Sequence, residues 1–380
     1  MVAGGDYLEA FINGLSAVTS GQIIMMGIGA LLIYLGIKKQ YEPTLLIPMG
    51  LGAVLVNIPG SGLISQEING QTQEGILDVL FDFGISNELF PLLIFIGIGA
   101  MIDFGPLLKN PFMFLFGAAA QFGIFFTILV AIIFGFDLQE AASIGIIGAA
   151  DGPTSIFVAN QLAPHLLGPI TVAAYSYMAL VPIIQPIAIK AVTTEKERKI
   201  KMTYQAESIS KSTRILFPIS VVFVAGFVAP ASLPLVGFLM FGNLMRECGV
   251  LDRLSQSAQN ELVNLVSILL GLTISVKMTA DQFLNLSTLL IIAFGLVAFV
   301  MDTIGGVLFA KFLNIFRKEK INPMIGAAGI SAFPMSARVI QRMAHTEDNQ
   351  NFILMYAIGA NVSGHIASVV AGGLVLNYFM

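Results

Sequence analysis

The chain has 380 residues, 56% of them hydrophobic and only 11% charged, with a mean hydropathy of +0.86 and a formal net charge of −4. A soluble globular domain carries about a quarter charged residues, so this composition excludes one and points to a polytopic membrane protein. The single cysteine, Cys248, excludes an internal disulfide and a thiolate metal cluster.

Residues 1–20 contain Asp6 and Glu9 and no basic stretch, so they read as an interfacial leader and not as a cleaved secretory signal. Apolar runs long enough to span a bilayer, roughly 17 to 25 residues each, begin near residues 21, 43, 88, 111, 168, 214, 234, 262, 285 and 351. About ten spans are therefore expected. Lys38 and Lys39 follow the first span, whereas 58–88 holds Glu67, Glu74, Asp78, Asp82 and Glu88 without a Lys or Arg. By the positive-inside rule the first loop is cytoplasmic and the second external. The runs TTEKERKIK (193–201) and KFLNIFRKEK (311–320), with Arg246, Arg253, Arg338 and Arg342, fall on the cytoplasmic side only if segments 141–163 and 322–345 enter and leave on one side. Both carry Gly and Pro near their midpoints, as re-entrant broken hairpins do. Lys190 and Lys277 lie at span ends, where long side chains snorkel to the interface.

The two hairpins are related. At a constant offset of 181, IGIIGAADGPTSI (144–156) and IGAAGISAFPMSA (325–337) share five of thirteen residues, Pro153 with Pro334 and Gly148 with Gly329 among them. The chain thus divides into repeats 21–194 and 214–380 around a polar cytoplasmic linker, 195–213. With five crossings and one hairpin in each half, the second half inserts upside down. The expected fold is all-α and polytopic, an inverted-repeat transporter-like scaffold with its site near the midplane.

A Gly-Pro break in hydrocarbon survives only where protein or a water-filled cavity surrounds it, and it frees carbonyl oxygens. Those carbonyls, with Asp151 and the hydroxyls of Thr154, Ser155 and Ser331, are hard donors suited to sodium. Gly152 and Pro153, and in the second hairpin Gly326 and Pro334, are the supporting residues of the breaks. The structural alternative for GAADGPT is a packing corner with a capping Asp. Asp302, in FVMDTIGG, is open to either a structural or a functional reading. Asn322 precedes Pro323 and either starts a helix or joins the second polar set with Ser331 and Arg338. Arg338 either neutralises carbonyl dipoles or clamps an anion in bidentate fashion. Tyr175 and Tyr177, and at the corresponding place Asn361 and Ser363, lie inside the spans that follow the hairpins. Where the first hairpin has Asp151 the second has Ala332, so one carboxylate serves both.

GAADGPTSIFVANQLAP, YSYMALVPIIQPIAIKAVTTEKERKIKM and NPMIGAAGISAFPMSARVIQ together resemble the beta subunits of the sodium-pumping biotin-dependent decarboxylases of oxaloacetate, methylmalonyl-CoA and glutaconyl-CoA. The resemblance implies a subunit that decarboxylates carboxybiotin on a carrier protein and exports sodium while consuming a proton. It places the essential aspartate on Asp151, the tyrosine on Tyr177, and second-half polar residues on Asn322, Gly326, Ser331, Arg338 and Asn361. Asp151, Tyr177 and Arg338 would be catalytic, with Arg338 meeting carboxybiotin, and Asp151, Asn322, Ser331 and Asn361 would bind sodium. It also implies a biotin carrier protein, a carboxyltransferase alpha subunit, a small gamma membrane subunit, a homotrimeric core, and residence in the cytoplasmic membrane of a bacterium or archaeon. An ion-coupled carrier or sodium/proton antiporter without an enzymatic step shares the composition and symmetry and is the competing expectation.

Overall fold

The computed structural model of the chain describes residues 16–68, 71–202, 208–332 and 334–380. Most of the expected leader (1–15), part of the linker (203–207) and Phe333 of the second hairpin lie outside the described residues. The longer helices are α1 (Ser20–Lys39), α2 (Pro43–Val56), α3 (Leu89–Met101), α4 (Phe114–Ala119), α5 (Phe122–Ile133), α6 (Leu138–Gly145), α7 (Gly152–Leu162) and α8 (Leu167–Val192). Beyond the linker come α9 (Lys211–Val228), α10 (Leu233–Cys248), α11 (Val263–Ile274), α12 (Leu286–Phe316), the short α13 (Met324–Ala327), α14 (Met335–Glu347) and α15 (Leu354–Phe379). A two-stranded antiparallel ribbon, Gln66–Ile68 with Gln71–Gln73, is the only sheet among the described residues.

Six helical stretches are long and apolar enough to cross a bilayer, and eight if two bent pairs each count as one span. The bent pairs are Ile76–Ser86 with Leu89–Met101, at 57°, and Pro164–Met178 with Leu180–Val192, at 70°. The starts expected near 43 and 234 open apolar helices of 14 and 16 residues. At 1.5 Å per residue the shorter is only about 21 Å long, less than the roughly 30 Å hydrocarbon layer. The chain is therefore an all-α polytopic membrane protein. Side chains such as Phe227 (87% exposed) and Ile133 (80% exposed) suit a hydrocarbon surrounding.

The chain forms two compact units that interleave in sequence. One takes the described residues up to Phe90 together with 264–289. Here α1 opens on a capping box, Thr19 with Gln22, and closes on Lys38 and Lys39, whose charges complement the carbonyl end of the helix. Asn57 is fully buried and holds residues 278–280: its Nδ2 donates to Met278 O and its Oδ1 accepts from Ala280 N.

The other unit comprises 91–263 and 290–380 and contains both segments expected to form hairpins, each of which holds a helix break. In the first, α6 starts on the Asp137–Glu140 capping box and tightens into a 3-10 turn, Ile146–Ala149. Ala150 then turns into the left-handed region (φ 53°) and Asp151 begins α7. In the second, α13 is a single turn, and chain outside regular helix separates it from α14. Glycines let these segments approach their neighbours: Gly326 backs onto the Gly306 carbonyl of α12, and a Cβ on Gly145 would lie 2.8 Å from Ile124 O of α5.

Candidate functional site at the two helix breaks

Asp151 is the N-cap of α7, with Gly152 and Pro153 in the first turn, where a missing N–H costs nothing. Its Oδ1 accepts from Thr154 N at 3.3 Å, and its Oδ2 accepts from Ser368 Oγ of α15 at 3.0 Å. Ser155 Oγ donates to the Asp151 carbonyl at 2.9 Å. The carboxylate is 3% exposed, and among the described residues no Lys or Arg pairs with it. A buried carboxylate held only by a hydroxyl and an amide N–H keeps lone pairs available to a cation or a proton.

The tips of the two hairpins touch. Ser331 N donates to Ala149 O at 3.0 Å, two residues before Asp151. Ser331 Oγ donates to Gly364 O at 3.0 Å, and Asn361 Nδ2 donates to Ala328 O (3.2 Å) and Ile330 O (2.7 Å), the unwound backbone after α13. Asn361 Oδ1 is buried with no hydrogen-bond partner among the described residues. Asn361, Gly364 and Ser368 follow one face of α15 at helical spacing, so a single stripe reaches both breaks. Gln185 of α8 adds a further support, donating to Ala327 O and Ser336 Oγ, both at 2.8 Å.

Other predicted residues lie elsewhere. Tyr175 and Tyr177 are two apart on α8 and so point to opposite faces. It is Tyr175, fully buried, that packs its ring on Gly152, while the Tyr177 hydroxyl donates to Ile292 O of α12 and its ring lies against Gly295. Asn322 is fully buried and anchors the linker, its Nδ2 donating to Arg198 O (2.8 Å) and Ile200 O (2.9 Å) and its Oδ1 accepting from Met324 N. Asn351 grips the same two carbonyls from the far end of α14. Arg338 is exposed on α14; its backbone N donates to Pro334 O, and its guanidinium makes no hydrogen bond or ion pair among the described residues. Beside the linker anchor lies a polar pocket of about 650 Å³, lined among others by Lys201, Arg317 and Lys320, with the Arg317 guanidinium 4.8 Å from the Phe112 ring centre.

Sequence reasoning missed Ser368 and Gln185. Neither residue interrupts its helix, and only the stripe Asn361, Gly364, Ser368 on α15 could have pointed to the serine.

The family of Na+-transporting oxaloacetate decarboxylase beta subunits matches residues 21–379. The chain belongs to this family. It is similar to the methylmalonyl-CoA decarboxylase subunit beta of Propionigenium modestum, at 50% identity over 97% of each chain. With the oxaloacetate decarboxylase beta chain of Klebsiella pneumoniae it shares 44% identity over 99% of each. With the glutaconyl-CoA decarboxylase subunit beta of Acidaminococcus fermentans the figure is 48%, over 96% of this chain and 95% of the relative. These three family members act on different carboxylated compounds, yet their likeness to this chain is similar.

Proposed function

We propose that the chain is the membrane subunit of a decarboxylase sodium pump. It decarboxylates carboxybiotin presented by a carrier protein and uses the reaction to export sodium while consuming a proton. The observation that carries the reading, beside the family, is the buried Asp151 carboxylate, which accepts from Ser368 of α15 and stands two residues from the Ala149 carbonyl that receives Ser331 N of the second broken segment. Carboxylate, hydroxyl and amide oxygens are hard donors, which suit sodium as the cargo.

Carboxybiotin is a carbamate. When its ureido nitrogen gains a proton, the N–C bond breaks with its electron pair going to nitrogen, and carbon dioxide leaves. The chain must therefore receive an anion at the cytoplasmic side and deliver a proton to it. Arg338, exposed and with its guanidinium unpaired among the described residues, is the anion clamp. Asp151 exchanges sodium for a proton, since the proton affinity of a carboxylate depends on the cation beside it, and Tyr177 passes the proton onward. Asn322 serves by holding the linker against the start of the second hairpin, and Asn361 and Ser331 complete the sodium shell with Asp151.

The scaffold reading is ten spans and two broken hairpins in an inverted repeat. Paired packing supports it. Gly145 rests on Ile124 and Ile128, and its counterpart Gly326 rests on Gly306; Gly148 rests on Ala298 and Asp302, and its counterpart Gly329 rests on Phe116 and Ala120. At the offset of 181 the partners Ile124 with Gly306, Ala298 with Phe116 and Asp302 with Ala120 correspond to within one residue. The assembly reading is a homotrimeric core with a carboxyltransferase alpha subunit, a biotin carrier and a gamma subunit, in a bacterial or archaeal cytoplasmic membrane. The competing carrier without an enzymatic step rested on composition and symmetry alone, which both readings share, and the family match favours the decarboxylase.

The test is purified protein in liposomes supplied with free carboxybiotin. Sodium uptake should require carboxybiotin, and Asp151→Asn should lower sodium-dependent decarboxylation by about a hundredfold or more, the scale of a lost acid–base group. Full activity in that variant would remove Asp151 from the site.

A further inference from the structure

A second carboxylate lies close to the first hairpin, and the mechanism above does not use it. Asp302 sits in the middle of α12 and is fully buried. Its Oδ1 accepts from Gly123 N and from Ile124 N, the latter at 3.2 Å. Both amides belong to the first turn of α5, which starts after the break at Ala120 and Gln121; Gly123 N is left open by the break, and Ile124 N is shared with Gln121 O at 3.2 Å. Oδ2 has no hydrogen-bond partner among the described residues. It faces Gly148 instead: a Cβ there would lie 2.6 Å from Oδ2 and 3.0 Å from Ala298 Cβ.

Gly148 lies within the 3-10 turn Ile146–Ala149, whose last residue, Ala149, receives Ser331 on its carbonyl and stands two residues before Asp151. We propose that Asp302 is a positioning residue for the sodium site: its side chain caps α5 and is the stop on which Gly148 seats, which sets where Asp151 and the junction of the two hairpins stand. The inference rests on the sodium-site reading above.

Two observations favour a positioning role over a carried charge. Capping requires only an acceptor oxygen at Oδ1, and a stop requires only an atom at Oδ2; neither needs ionisation. At the offset of 181, moreover, the counterpart of Asp302 is Gln121, a neutral residue that is also buried, donates to Gly117 O at 2.9 Å, and leaves its Oε1 without a partner. An acid and a neutral amide therefore occupy corresponding places in the two halves, both buried within the same compact unit.

The experiment compares wild type with D302N, D302A and G148A, reading the sodium concentration for half-maximal decarboxylation and, separately, that for half-maximal thermal stabilisation by sodium. D302N keeps both oxygen and bulk and should match wild type within about twofold in both readings. D302A removes the cap and the stop, and G148A leaves the cap intact but displaces the hairpin. Each should raise both half-saturation values roughly tenfold, the effect of one lost hydrogen bond's worth of positioning, with turnover at saturating sodium changed less. If D302A fails to fold, D302N and G148A decide the matter. A D302N protein as impaired as D302A would show that the charge itself is used and overturn the proposal, as would G148A with unchanged sodium values. A wild type that responds to sodium in neither assay removes the function and this inference together; a responsive wild type with unshifted variants removes only the inference.

Discussion

Ser368 is the residue whose importance only three dimensions reveal, because it lies 217 positions from the carboxylate it contacts. Its hydroxyl donates both to Asp151 Oδ2 and, at 3.0 Å, to the His365 carbonyl one turn back. Ser368→Ala removes a neutral hydrogen bond to a charged acceptor, worth about 1.5 to 3 kcal/mol when the acceptor is ionised, without opening a cavity larger than a hydroxyl. The expected outcome is an apparent sodium affinity weakened by roughly tenfold at near-normal thermal stability, read from the sodium dependence of decarboxylation. An unchanged sodium dependence would confine Ser368 to packing. Gly152→Ala is the opposite kind of change. The new methyl overlaps the buried Tyr175 ring, so overpacking should cost about 1 to 3 kcal/mol and lower the unfolding temperature together with activity. Asp151 itself was legible in the sequence, since an acid followed by Gly-Pro inside an apolar run has few structural uses. Ser368 was not, since a serine in a long apolar helix can satisfy its hydroxyl on the preceding turn and leaves no mark on the pattern.

Among the elements, the hairpins were readable because Gly and Pro announce a break through backbone chemistry alone, and the observed breaks fall at Ala150 and between α13 and α14, inside the expected segments. Their mutual contact was not readable, because the bond from Ser331 N to Ala149 O joins backbone to backbone and depends on no side-chain type. The linker shows the same division. Its charge pattern marks it as polar chain outside the membrane, while its attachment depends on Asn322 and Asn351 gripping the carbonyls of Arg198 and Ile200. Arg198 also pairs with Glu347 at 2.6 Å, and Lys201 with Asp348 at 3.0 Å. The backbone amide of Gln350 and then Lys201 hold the Asp348 carboxyl below its ordinary value of 3.8. The side-chain bond from Lys199, followed by its charge, holds Glu195 below 4.5. A depressed carboxyl stabilises its contacts above the unfolded value and loses that contribution as pH falls through the folded one. Protection of the amides across 195–202, taken relative to the intrinsic exchange rate at each pH, should therefore be constant from neutral pH down to the ordinary carboxylate values and fall below them. A loss of protection beginning near pH 6 would mean that other groups control the attachment.

At the scale of the whole molecule, the sequence speaks to sidedness more directly than to span number, because an expected side depends only on where Lys and Arg fall whereas a span must also be long enough. Helix α2, apolar but only 14 residues long, illustrates the difference. The positive-inside rule puts Lys39, the linker turn Glu195–Arg198 and the Arg317–Lys320 turn on one side, and the acidic segment that carries the β-ribbon on the other. Lys39, Lys196, Lys318, Gln71 and Gln73 are all exposed, so each tolerates a reporter. Cys248 is half-buried, its thiol 3.3 Å from Met245 O, and must first be replaced by Ala to leave a clean background. In intact cells a membrane-impermeant maleimide should label cysteines at 71 and 73 and spare those at 39, 196 and 318 until the membrane is permeabilised. This pattern has a functional stake. If the linker and Arg338 faced outward, a biotin arm carried by a cytoplasmic protein would have no cation to meet, and the direction proposed for sodium would reverse with them. Labelling of residue 196 in sealed cells would therefore overturn the orientation and the export reading together, while protection of 196 with labelling at 71 fixes the side from which the anion must arrive.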